Sequence, residues 1–69
     1  MKIKVNGEEK SLDISKKTIS LSYALDLLGY EPNTIVVELN NTIINFEYWD
    51  NKNVVEGDKI EIVSIVGGG

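Results

Sequence analysis

Cysteine, histidine and arginine do not occur in these 69 residues. Without cysteine there is no disulfide framework, no thiolate nucleophile and no Cys-based zinc site. Without histidine the commonest general base and metal ligand is missing. Without arginine no side chain offers a bidentate clamp for phosphate or carboxylate. Long apolar runs are absent too: nothing approaches the roughly 20 residues of a spanning helix. The N-terminus has no secretory n-region and h-region, so the expected location is cytoplasmic. Eleven acidic residues against seven lysines give a net charge of −4. That balance disfavours non-specific nucleic-acid binding, which needs clustered basic residues, and suits a protein that meets basic protein surfaces. Acid–base, nucleophilic and metal chemistry all lack their usual side chains. The chain reads as something acted upon by enzymes, not as an enzyme.

What is present fits one small domain, since a chain of this length builds a single core. Lys2-Ile3-Lys4-Val5 alternates polar and apolar, the period of a half-buried strand. Asn6-Gly7 is a tight-turn pair, because both residues tolerate positive φ. Lys10-Ser11-Leu12-Asp13-Ile14 alternates again, which predicts an N-terminal hairpin with Ile3, Val5, Leu12 and Ile14 on its inner face. The period then changes. Leu21, Ala24, Leu25 and Leu28 share one helical face, with Ser20 as N-cap and Gly29 as the left-handed stop. Ile35 to Leu39 is the most β-prone stretch and is expected as a central strand, turned by Asn40-Asn41 into Thr42 to Ile44. Phe46 to Asp50 is expected as a helical or 3₁₀ turn that seats Trp49. Gly57-Asp58 turns the chain into a last alternating strand from Lys59. One mixed sheet of four to five strands, with the helix across one face and the last strand parallel to the first, is an α+β fold of the β-grasp kind. The expected layout is a β-grasp domain over residues 1–66 and a flexible tail over residues 67–69.

The tail Gly67-Gly68-Gly69 is the one candidate reactive element. Glycine packs no side chain and loses the most entropy on ordering, so the run continues a sheet poorly. It is also the thinnest peptide for threading into another protein's channel. Its carboxylate needs a leaving group, such as an adenylate made from ATP, before it can transfer its acyl group. No Gly-rich loop with Lys and Ser/Thr is present to hold the phosphates, so ATP binding falls to a partner. A frayed end remains the other reading of these glycines. In the last strand, Ile60 and Ile62 point inward with Lys59 and Glu61 outward, and the same period puts Val63 and Ile65 outward. Val36 is outward if Glu38 is. An apolar cluster beside the tail suggests a docking patch, although scattered surface apolars or a strand losing its register would give the same pattern. Asp58 and Glu61 read as solvated charges, not a metal pair, and Trp49 and Phe46 as packing.

Taken in order, Ile3-Lys4-Val5-Asn6-Gly7, Leu27-Leu28-Gly29, Val36-Val37-Glu38-Leu39-Asn40, Trp49, Gly57 to Val63 and Val66-Gly67-Gly68-Gly69 resemble the ThiS family over the full length. These are ubiquitin-like sulfur carriers of thiamine biosynthesis. The resemblance implies that an E1-like adenylyltransferase of the ThiF type adenylates the Gly69 carboxylate using its own Mg-ATP, this chain binding no cofactor. Sulfur, passed on by a donor such as a cysteine desulfurase, then gives a thiocarboxylate. A thiazole synthase of the ThiG type takes that sulfur into the thiazole ring. By position Gly69 is the acyl and sulfur carrier, Gly67 and Gly68 form the threading arm, and Val63, Ile65 and Val36 belong to the docking face. The free protein is expected as a monomer. Asn41 stands where the family's turn usually has glycine, Asn45 where proline is frequent, and Thr18-Ile19 is an insertion before the helix. The alternatives are a MoaD-like small subunit of molybdopterin synthase, a ubiquitin-like protein modifier, and a β-grasp interaction domain with an inert tail.

Overall fold

The alternation of the first residues produces strand β1 (Lys2–Val5), whose Ile3 and Val5 are buried while Lys2 and Lys4 face out. Asn6 and Gly7 both take positive φ (52° and 83°), the two-residue turn that suits the right-handed twist of a hairpin. The turn fixes the register, pairing Val5 with Glu8 and Lys2 with Ser11, so β2 runs Glu8–Ser11. The expected second strand, Lys10 to Ile14, therefore starts too late in the chain. All four β2 residues are exposed at the sheet edge. Leu12, just beyond, is buried and exchanges backbone hydrogen bonds with Met1, whereas Ile14 lies outside any strand and packs half-buried against the core. The computed structural model describes residues 1–65.

Helix α1 (Leu21–Leu28) forms where the period changes. The Ser20 side chain accepts from the Tyr23 amide at 3.1 Å, satisfying one of the first-turn donors. At the other end Gly29 sits at φ 86°. There the Gly29 amide donates to Asp26 and the Tyr30 amide to Leu25 (both 3.0 Å), a Schellman closure that a Cβ would strain. A helix this short is marginal alone. It is held by Leu21, Ala24 and Leu25, which sit in one cluster with Ile3, Val37 and Ile60 of the sheet.

Beyond a single 3₁₀ turn (Pro32–Thr34), β4 (Ile35–Leu39) buries Ile35, Val37 and Leu39. Asn40 and Asn41 take φ 51° and 73° and turn it into β5 (Thr42–Ile43). Asparagine tolerates this backbone nearly as glycine does, so the familial glycine is dispensable there. Asn45, at φ −65° and ψ 148°, has a proline-compatible backbone. A second 3₁₀ turn (Phe46–Tyr48) leads to Trp49, whose indole is buried, donates to the Ile44 carbonyl at 2.8 Å, and meets the Phe46 ring edge-on at 5.1 Å.

The last described strand, β7 (Lys59–Ser64), lies parallel to β1 and antiparallel to β4. The main sheet thus has five strands in the order β2-β1-β7-β4-β5, with α1 on one face. The middle place belongs to β7, and β4 is an interior strand beside it, between β7 and the two-residue edge strand β5. Thr18 and Ile19, read from the sequence as an insertion before the helix, belong to β3 (Thr18–Ser20). It pairs antiparallel with β6 (Asn53–Val55) as a separate two-stranded sheet that buries Ile19 and Val54. Among the described residues no helix is long and apolar enough to cross a membrane.

Candidate functional site

The site is organised around β7, because that strand leads directly toward the glycines. Its edge toward β1 is held first by main chain, with the Asn6 amide donating to the Ile60 carbonyl at 2.9 Å. One step further, where the hairpin has already turned away, the Asn6 side chain takes over. Its Oδ1 accepts from the Ile62 amide at 2.7 Å and its Nδ2 donates to the Ile62 carbonyl at 3.2 Å, so one side-chain amide acts as the next residue of a strand. On the β4 side Asn40 does similar work at the start of β7. Its Oδ1 accepts from the Lys59 amide and its Nδ2 donates to Asp58, whose carboxylate also accepts from the Val55 amide. Asp58 is therefore a turn brace. Among the described residues no group of three acidic, His or Cys side chains could hold a metal.

Alternation along β7 divides its side chains between core and outer face. Ile60 and Ile62 go into the core, and Val63 and Ile65 are 61% and 50% exposed. Val36, 37% exposed, is the register partner of Val63, which puts the two valines side by side on the face away from α1. The Ile65 amide still donates to the Thr34 carbonyl at 2.6 Å, so the ladder reaches that residue and the strand keeps its register to its end. The structure thus brings Val36, Val63 and Ile65 together. Gly67, Gly68 and Gly69 lie outside the described residues, as does the proposed boundary at residue 66.

Two features of this face were not read from the sequence. Ile43, 60% exposed, pairs with Glu38 and extends the apolar surface across a third strand. Glu38 in turn pairs directly with Glu61. The outward parity of each glutamate was visible, but their opposition depends on the β4–β7 register, which no local pattern specifies. At the other end of the same face stand Lys2, Lys4 and Lys59, with Lys4 and Lys59 in register.

One helix laid over a mixed sheet, with the first and last strands parallel at its centre, defines a ubiquitin-like β-grasp protein. The sequence profile of the ThiS family matches residues 3–69. A crystal structure of the thiamine biosynthesis protein ThiS from Geobacter metallireducens superposes with a TM-score of 0.84 at 28% identity, covering all of both chains. An uncharacterized protein of Trieres chinensis, ycf40, is 38% identical over 65 residues, 94% of this chain and 85% of its own length. A thiazole synthase of Paramagnetospirillum magneticum is 36% identical over 69 residues, all of this chain but 20% of that protein. The chain belongs to the ThiS family, the small sulfur carriers of thiamine biosynthesis.

Proposed function

We propose that this protein carries sulfur as a thiocarboxylate on Gly69 and delivers it to a thiazole synthase. The observation that carries the reading is the family match, which spans residues 3–69 and so takes in Gly67, Gly68 and Gly69. The chemistry needs little from the chain itself. On an E1-like adenylyltransferase, a carboxylate oxygen of Gly69 attacks the α-phosphorus of ATP, and pyrophosphate leaves. A sulfide equivalent derived from a donor such as a cysteine desulfurase then attacks the acyl carbon, and AMP leaves. The product retains one oxygen and gains one sulfur. ATP and magnesium belong to the adenylyltransferase, in keeping with a chain that has no arginine, histidine or phosphate-binding loop.

Thiazole synthase as the receiving partner is supported by the Paramagnetospirillum protein of that name, in which a stretch resembling this whole chain is part of the same polypeptide. In this reading Val36, Val63 and Ile65 form the face on which partners dock, and Gly67 and Gly68 are the thin arm that reaches the active site. Deleting Gly69 is expected to abolish ATP–pyrophosphate exchange by the cognate adenylyltransferase while leaving the thermal melt of the domain unchanged. Exchange that survives the deletion at the original rate contradicts the carrier role.

A further inference from the structure

The docking face carries two carboxylates that make no ion pair among the described residues. Glu38 and Glu61 are register partners on adjacent strands, β4 and β7. The neighbouring backbone bonds, Asn40 amide to Lys59 carbonyl and Ile65 amide to Thr34 carbonyl, set the phase of the ladder. They make Glu38–Glu61 a hydrogen-bonded pair, with Cα atoms about 5.5 Å apart. Both side chains are half-buried and on the outer face. Like charges placed directly opposite each other destabilise a sheet. Among the described residues the one ion pair is Lys10 with Glu8, on the edge strand β2, so neither glutamate is paired with a cation. Lys59, two positions along the same strand and on the same face, makes no ion pair with Glu61 either.

The surroundings say what would satisfy the pair. On one side lie Val36 and Val63, also in register, with Ile65 beyond; on the other Ile43 stands opposite Glu38. All four are exposed. A partner covering these residues would exclude water from both flanks of the carboxylates. That strengthens attraction to a cation and worsens the repulsion if none is supplied. A small cation has only these two acidic side chains to hold it, and the described residues offer no third acidic, His or Cys ligand. A guanidinium, planar and able to bridge two carboxylates with parallel donors, matches the arrangement better.

We propose that Glu38 and Glu61 together receive an arginine of the thiazole synthase, inserted beside the apolar contact made by Val36, Val63 and Ile65. The inference rests on the docking face assigned above. It adds the chemistry of the partner's surface: a basic side chain rimmed by apolar ones, oriented so that the arm follows β7 into the acceptor's active site. The like-charge strain of the free protein is relieved on docking, so the face discriminates against any surface that offers apolar contact alone.

The test is the dissociation constant for the cognate thiazole synthase at low and high salt, with the full-length chain. The variants are the Glu38→Gln/Glu61→Gln double substitution and, separately, Val63→Ala. The glutamine pair is expected to bind about tenfold more weakly at low salt and to lose most of the salt dependence, as removal of interfacial charge does. Val63→Ala is expected to weaken binding with the salt dependence kept. The glutamine pair should also melt at an unchanged or higher temperature, because a repulsion has been removed. A lower melting temperature would mean that the glutamates are already satisfied within the chain, and it overturns the proposal. So does unaltered affinity and salt dependence of the glutamine pair while Val63→Ala weakens binding, an outcome that leaves the docking face standing. If neither variant weakens binding, the docking face itself is wrong, and the proposal goes with it.

Discussion

At Asn6 one residue does two jobs that are usually separate. Its backbone takes φ 52° to begin the hairpin turn, and its side chain returns to the sheet to bond both main-chain groups of Ile62. The turn was legible from Asn6-Gly7, since positive φ is written into those residue types. The bond to Ile62 was not, because it spans 56 positions and follows from the register of the parallel β1–β7 pairing, which local patterns do not specify. Replacing Asn6 by glycine separates the roles: the positive φ is still permitted, but the side-chain amide is lost. The Asn6→Gly protein is expected to lose roughly 1–2 kcal/mol, the cost of two net hydrogen bonds at a partly buried position. Native-state hydrogen exchange should show the Ile62 amide exchanging faster relative to its neighbours. An Ile62 amide as protected as before would mean that β7 does not depend on this brace.

Among the elements, α1 shows how far local signals reach. Ser20 as cap, the apolar face of Leu21, Ala24 and Leu25, and Gly29 as stop were all legible, because each acts within one turn of its own position. Eight residues cannot hold a helix without such ends. Gly29→Ala, forced into a left-handed backbone at φ 86°, is expected to lower stability by about 1–2 kcal/mol in a denaturant titration, with no change in the slope. Strands β3 and β6 mark the opposite case. Each has three residues, too few for a period to register, and they meet across the whole helix and β4–β5 hairpin. The Thr18-Ile19 segment is thus half of a small sheet that buries Ile19 and Val54. The proposed docking face falls between these extremes. Outward parity of Val36, Val63 and Ile65 could be read along each strand, while their adjacency, and the opposition of Glu38 to Glu61, came only with the register.

For the whole molecule, the fold is best understood as a mount for its last strand. A domain of this size buries only about 60% of the surface its unfolded chain exposes, so its stability is slim. Yet β7 is paired on both sides, anchored by Ile60 and Ile62 in the core, and braced by two asparagine side chains. Fixing that strand fixes where anything attached after Ile65 begins, and it displays the valine and glutamate pairs beside that point. In the proposed function the chain presents a group and partners supply the chemistry, a division that asks for no cysteine, histidine or arginine here. The most direct test of this account is the intact mass of the protein after incubation with the cognate adenylyltransferase, Mg-ATP and a sulfur source. The expected result is a gain equal to the difference between one sulfur and one oxygen atom, located on Gly69 by fragmentation and absent from a chain lacking that residue. An unchanged mass under conditions where ATP is consumed, or sulfur found on any other residue, would contradict it.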